Sequence, residues 1–99
     1  MNLISQHIDI INTLCKLHKV KSLYAFGSVL TDQFTDQSDI DLIVDFSEIQ
    51  LLDYSDNYFD LKFALEDTFN RSVDLIEDKA IKNPYFKKAI EKNKALIYG

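Results

Sequence analysis

Asp39 and Asp41 stand two apart in Asp39-Ile40-Asp41-Leu42, and a third aspartate follows in Val73-Asp74-Leu75. Residues two apart on a strand project from one face with Cα atoms roughly 6 to 7 Å apart, so this pair can share divalent cations. An Asp-x-Asp taken alone is more often a solvated strand face, and three further features weigh against that here. Asp74 lies among Val73, Leu75 and Ile76, a run that predicts a largely buried strand, where an unpaired carboxylate is costly unless a cation or hydrogen bonds offset it. Between Ser22 and Leu61 stand Asp32, Asp36, Asp39, Asp41, Asp45, Glu48, Asp53, Asp56 and Asp60 with no Lys or Arg, so protein cations do not neutralise that stretch locally. Gly27-Ser28 ends the apolar run Leu23-Tyr24-Ala25-Phe26; a turn there offers backbone N–H groups and a hydroxyl to an anion, and the glycine permits close approach.

Rival chemistries fit poorly. A calcium loop begun at Asp36 puts Asp41 where its glycine belongs and Ser47 where its bidentate glutamate belongs. Cys15, His7 and His18 fall on one predicted helix with no further soft ligands, which argues against zinc, and both histidines read as solvated helix residues. Ser28 lacks the nucleophile-elbow pattern of a serine hydrolase. With Gly27 and Gly99 as the only glycines, neither the dinucleotide fingerprint nor the Walker phosphate loop is present.

The elements that must position these residues follow from periodicity. Ile4, Ile8, Ile11, Leu14 and Cys15 predict one amphipathic helix over 4–18. Leu23 to Phe26 predicts a buried strand, and from Asp39 the alternation of Ile40, Leu42, Val44 and Phe46 with Asp39, Asp41 and Asp45 predicts a half-buried one, Ile43 being the apolar exception on the acidic side. Tyr54, Tyr58, Leu61, Leu65 and Phe69, flanked by Phe59 and Phe63, predict a strongly apolar helix over 53–69 packed across the sheet. A third strand follows at Val73–Ile76. Asn83-Pro84 reads as an N-cap with proline at the first helical position, opening a last helix that turns Phe86, Ala89, Ile90 and Leu96 inward. The expected fold class is α+β: a small mixed sheet backed by helices.

The 99 residues fit one domain spanning 1–99, without room for a separate substrate-binding domain. A net charge of −5 has the wrong sign for holding nucleic acid by its phosphates. The single cysteine, the lack of a signal-peptide pattern and the shortness of the apolar runs point to a reduced, cytoplasmic protein without a membrane span.

Gly27-Ser28, ten intervening positions, Asp39-Ile40-Asp41-Leu42 and the later Val73-Asp74-Leu75 together resemble the minimal nucleotidyltransferases of the DNA polymerase beta superfamily. The resemblance covers nearly the whole chain and implies a palm-like fold. It implies that Gly27 and Ser28 hold the β- and γ-phosphates of a nucleoside triphosphate such as ATP. It further implies that Asp39, Asp41 and Asp74 are catalytic and bind two magnesium ions, with Asp74 completing the catalytic ion's shell and helping to deprotonate an attacking hydroxyl. Many relatives carry arginines just after Gly-Ser, where this chain has Val29, Leu30, Thr31 and Asp32. The metals, the backbone amides, Lys62 or Lys21, or a partner must then offset the triphosphate charge.

Stand-alone members of the family are often paired with a helical HEPN-type protein as antitoxin and toxin, and some transfer AMP to a tyrosine of that partner. The resemblance therefore implies a magnesium-dependent transfer of a nucleoside monophosphate, AMP from ATP, to a hydroxyl of a partner protein or small molecule with release of pyrophosphate. Activity is expected to be weak without the partner. The alternative is a catalytically weak or inactive nucleotidyltransferase-fold binding module that acts as an antitoxin by masking a HEPN-type partner. A homo-oligomer is compatible with either.

Overall fold

The computed structural model describes residues 2–99; Met1, the first position of the expected domain, lies outside them. Its elements run α1 (Asn2–Gln6), α2 (Ile8–Leu17), β1 (Val20–Phe26), a 3-10 turn (Gly27–Leu30), β2 (Ile40–Phe46), α3 (Leu51–Phe69), β3 (Val73–Glu77), a second 3-10 turn (Asp78–Ala80), α4 (Pro84–Asn93) and β4 (Ala95–Tyr98). The four strands form one mixed sheet in the order β3-β2-β1-β4. β1 runs antiparallel to both β2 and β4, and β2 runs parallel to β3. This is the expected α+β architecture of a small mixed sheet with helices. No helix among the described residues is long and apolar enough to cross a membrane.

One cluster of buried side chains joins Ile11 and Cys15 of α2, Leu61 and Leu65 of α3, and Leu23, Ala25, Ile40, Leu42 and Val44 of the strands. The alternation of β2 therefore turns its apolar set toward α2 and α3 and leaves Asp41 and Asp45 on the other face. α4 lies on that second face. Phe26, the cross-strand partner of Asp41, meets Phe86 of α4 edge to face at 6.3 Å, and the Lys94 ammonium sits 4.2 Å above the Tyr24 ring.

Several expectations are corrected. The first helix breaks at His7, whose backbone leaves helical geometry (φ −116°, ψ 18°), whose ring donates through Nδ1 to the Leu3 carbonyl at 2.9 Å and whose edge packs on Phe69. Neither histidine is simply solvated: His18 caps α2, and its ring donates to the Leu14 carbonyl at 2.8 Å. Asn83 does cap α4, accepting from the N–H groups of Tyr85 and Phe86. Leu96, however, belongs to β4 rather than to a helix, and of the residues expected to point inward only Ile90 is buried. Four residues are too few to display an alternation, and β4 is an edge strand with little to bury. Phe59 and Phe63 of α3 stack on each other on its exposed side instead of joining the core.

Candidate functional site

The C-terminal end of β1 and the N-terminal ends of β2 and β3 meet at one end of the sheet, and the sequence-predicted residues gather there. Asp41 and Asp74 are in-register partners across the parallel β2–β3 ladder, so their side chains leave the same face of the sheet. Asp39 precedes the first residue of β2 by one position. Phe26 lies opposite Asp41 across the antiparallel β1–β2 ladder, which sets the following Gly27 against the Asp41 carboxylate. That glycine has φ +77°, and a Cβ built on it would stand 2.5 Å from Oδ2 of Asp41. Glycine is required there twice over, by its backbone conformation and by the space that the carboxylate occupies.

The turn that follows is one winding of 3-10 helix, closed by Thr31, whose N–H and hydroxyl both donate to the Ser28 carbonyl at 2.9 and 3.0 Å. Val29 fastens the turn to the core, while Gly27 and Ser28 keep access to solvent. The first N–H groups of such a winding have no acceptor within it.

Electrostatically Asp74 and Asp39 act on Asp41. The carboxyl of Asp41 is raised above the ordinary carboxylate range, chiefly by its burial and then by the charges of Asp74 and Asp39. Among the described residues the ion pair of Lys79 with Asp45, at 3.8 Å, neutralises the far end of the acidic face, and no ion pair involves Asp39, Asp41 or Asp74. Lys62 stands on α3, which packs against the opposite face, so it is no neighbour of the turn by way of the sheet. Lys94, on the acidic face above Tyr24, is a cation that periodicity did not single out.

The buried setting expected for Asp74 is incorrect. Asp74 is exposed, because β3 is the sheet edge and only Val73 and Leu75 turn to the core. Its claim to chemistry therefore rests on its register with Asp41 and not on the cost of burial.

The donor set suits a hard divalent cation. It consists of carboxylate oxygens that repel one another and lack a protein counter-charge, beside a turn stripped of its Cβ. No three Asp, Glu, His or Cys side chains among the described residues are closed around one point. Asp39 and Asp74 are exposed beside Asp41. Cys15 offers no rival chemistry: it is fully buried, and burial pushes its thiol up to about 12.

Arg71, the only arginine of the chain, escaped the motif reading although it shapes the site. Its guanidinium donates to the carbonyls of Thr35 at 3.0 Å and Ser38 at 2.9 Å, and it lies 4.6 Å from the Phe34 ring centroid. It thereby fastens the loop between the 3-10 turn and β2 immediately before Asp39. On its other side, Glu66 of α3 accepts from the Val73 N–H at 3.0 Å, and the Ile40 N–H donates to Ser72 at 3.1 Å, so the starts of β2 and β3 are tied together. A lone arginine just past a helix end was the available signal. Nothing in its spacing indicated that it reaches back more than thirty residues.

Comparison with known proteins places this geometry. The family model described as "Polymerase beta, Nucleotidyltransferase" matches residues 9–99. A Methanocaldococcus jannaschii protein named as a protein adenylyltransferase is 42% identical over 102 residues, covering 99% of each chain. A solved minimal nucleotidyltransferase superposes with a TM-score of 0.76 at 25% identity, over 92% of this chain and 89% of that one. A chain from the complex of tri-AMPylated Shewanella oneidensis HEPN toxin with MNT antitoxin shares the fold at a TM-score of 0.65 and 17% identity, over 97% of this chain and 72% of its own.

Proposed function

The chain belongs to the polymerase beta nucleotidyltransferase family and is an enzyme of that class, and on that premise we propose that it transfers AMP from magnesium-bound ATP to a hydroxyl of a HEPN-type partner protein. The observation that carries the proposal is the in-register pair Asp41 and Asp74 with Gly27 packed against the Asp41 carboxylate. The name of the curated relative supports adenylyl transfer, and the toxin–antitoxin complex with the same fold supports the partner.

In this scheme Asp39, Asp41 and Asp74 hold the metal. Magnesium bound there would supply charge stabilisation for an in-line displacement. The N–H groups at Gly27 and Ser28 take the β- and γ-phosphates, and the small turn lets them approach Asp41 closely. The acceptor oxygen forms a bond to the α-phosphorus while the bond from that phosphorus to the oxygen bridging to the β-phosphate breaks. The bonding pair leaves with pyrophosphate, and Asp74 takes the hydroxyl proton. In this reading the partner presents the hydroxyl. Because positioning a nucleophile supplies roughly 7 to 11 kcal/mol of barrier reduction, turnover on free small alcohols is expected to be slow or undetectable.

The absence of arginine from Val29-Leu30-Thr31-Asp32 favours a second reading, in which the fold masks a partner without transferring to it. Calorimetric titration of ATP with magnesium separates the two. The transferase reading expects saturable binding that is lost in the Asp39→Asn, Asp41→Asn double variant. Absence of binding by the unmodified chain, together with tight association with the partner, favours masking.

A further inference from the structure

Two helix faces that point away from the sheet carry opposite charge. On α3 the exposed line is Leu52, Phe59 and Phe63, bordered by Asp53, Asp56, Asp60 and Asp67; on α4 it is Tyr85, Lys88 and Lys92. We infer that these faces are the two halves of one interface, so that α4 of one copy docks on α3 of a second copy. The inference stands apart from the proposed function.

A solvated helix face accounts for the charges but not for the large apolar side chains among them. Leu52 and Tyr85 are 91% and 83% exposed, and Phe59 and Phe63 stack on each other at 5.9 Å on the open side of α3. Apolar surface rimmed by polar groups marks a contact surface. The charges are equally uncompensated. Among the described residues the ion pair is that of Lys79 with Asp45, so none of these aspartates and lysines has a partner of opposite charge. Asp56 with Asp60, and Lys88 with Lys92, are like-charge pairs four apart on a helix, an arrangement that repels. Setting one helix against the other offsets both repulsions, because the two pairs share a spacing and differ in sign. The lysines also suit the phenylalanines. An ammonium is drawn to an aromatic face, as Lys94 already is to Tyr24 at 4.2 Å, and lysine stems cover apolar surface while their heads reach the flanking aspartates.

The charges also select the mode of pairing. Docking α3 on α3 brings the aspartates of two copies together, and α4 on α4 brings the lysines together, so a two-fold contact through either face is opposed. Nucleic acid suits the lysines alone, leaves the α3 face unaccounted for and is repelled by a net charge of −5. α3 and α4 lie on opposite faces of the sheet, so a docked pair still presents one free α3 and one free α4. Such a head-to-tail contact continues into larger assemblies.

Light scattering by the full chain at rising concentration, in low and in high salt, reads the assembly. The mass should exceed that of one chain and fall toward it in high salt, where exposed charges are screened. The double variants Asp56→Lys, Asp60→Lys and Lys88→Glu, Lys92→Glu should each remain single chains. Their equimolar mixture should associate again, because each reversed face then meets one of opposite sign. Phe59→Ala, outside the core, should weaken association about tenfold or more, the scale of an aromatic anchor at an interface. All of these positions are exposed, and melting curves check that each variant folds. An unmodified chain that stays single at every concentration overturns the inference. So does association that survives both charge reversals, or a mixture of folded variants that fails to restore it. A chain that stays single yet binds a single-stranded oligonucleotide through Lys88 and Lys92 would assign α4 to nucleic acid instead.

Discussion

The Cβ that Gly27 lacks would stand 2.5 Å from Oδ2 of Asp41, so the turn proposed for phosphate and the carboxylate proposed for metal share one small volume. Gly27→Ala should act on both. At φ +77° an alanine is strained, which should destabilise the fold by at least about 1 kcal/mol in denaturant unfolding. The Asp41 carboxylate can escape the added methyl only by rotating away. Magnesium-dependent stabilisation should therefore be lost from a protein that still folds. Retention of the full magnesium response in Gly27→Ala would separate the turn from the carboxylates.

Arg71 ties the loop before Asp39 to the helix end before β3 through its hydrogen bonds to Thr35 and Ser38. Arg71→Ala should cost about 1.5 to 3 kcal/mol, the scale of charged hydrogen bonds, and should weaken the magnesium response because Asp39 loses its anchor. Arg71→Lys should recover only part of either effect, since an ammonium cannot reproduce the planar fork. Equal magnesium responses across the three proteins would confine Arg71 to stability.

How far the sequence was legible follows from the range of each interaction. β2 was readable because Ile40, Leu42, Val44 and Phe46 alternate with aspartates over seven residues, and α3 because Leu61, Leu65 and Phe69 repeat along one side. Gly27, Ser28, Asp39, Asp41 and Asp74 were legible as a set because their spacing along the chain is what the motif consists of. The setting of Asp74 was not. Whether a strand is central or at an edge depends on the sheet order, which is a property of pairing and not of the five residues of β3. The placement of α4 over the acidic face and the reach of Arg71 to Thr35 are likewise long-range, and local periodicity carries no trace of them.

Asp41 should make the metal-free protein less stable as pH rises. Burial, Asp74 and Asp39 hold its carboxyl above the ordinary value, so through the window from about 3.8 up to its raised pKa the folded state keeps a proton that the unfolded chain has released. Stability contributed by that proton is present below the window and lost above it. Magnesium favours the ionised form, so its stabilisation should grow across the same window, reaching about 2.7 kcal/mol when free metal is a hundredfold above its dissociation constant. Melting temperatures across acidic pH, with and without magnesium, check both slopes. Asp41→Asn should remove this component of the pH slope and abolish the magnesium shift; a variant that kept both would place the perturbed carboxyl elsewhere.

The most direct measurement follows two labels on ATP, one at the α-phosphate and one at the γ-phosphate, when the chain is mixed with magnesium and a HEPN-type partner. The account predicts that the α-label becomes covalently attached to the partner, that the γ-label leaves in pyrophosphate, and that Asp41→Ala abolishes attachment. Attachment of the γ-label, or α-label transferred undiminished by Asp41→Ala, would contradict it.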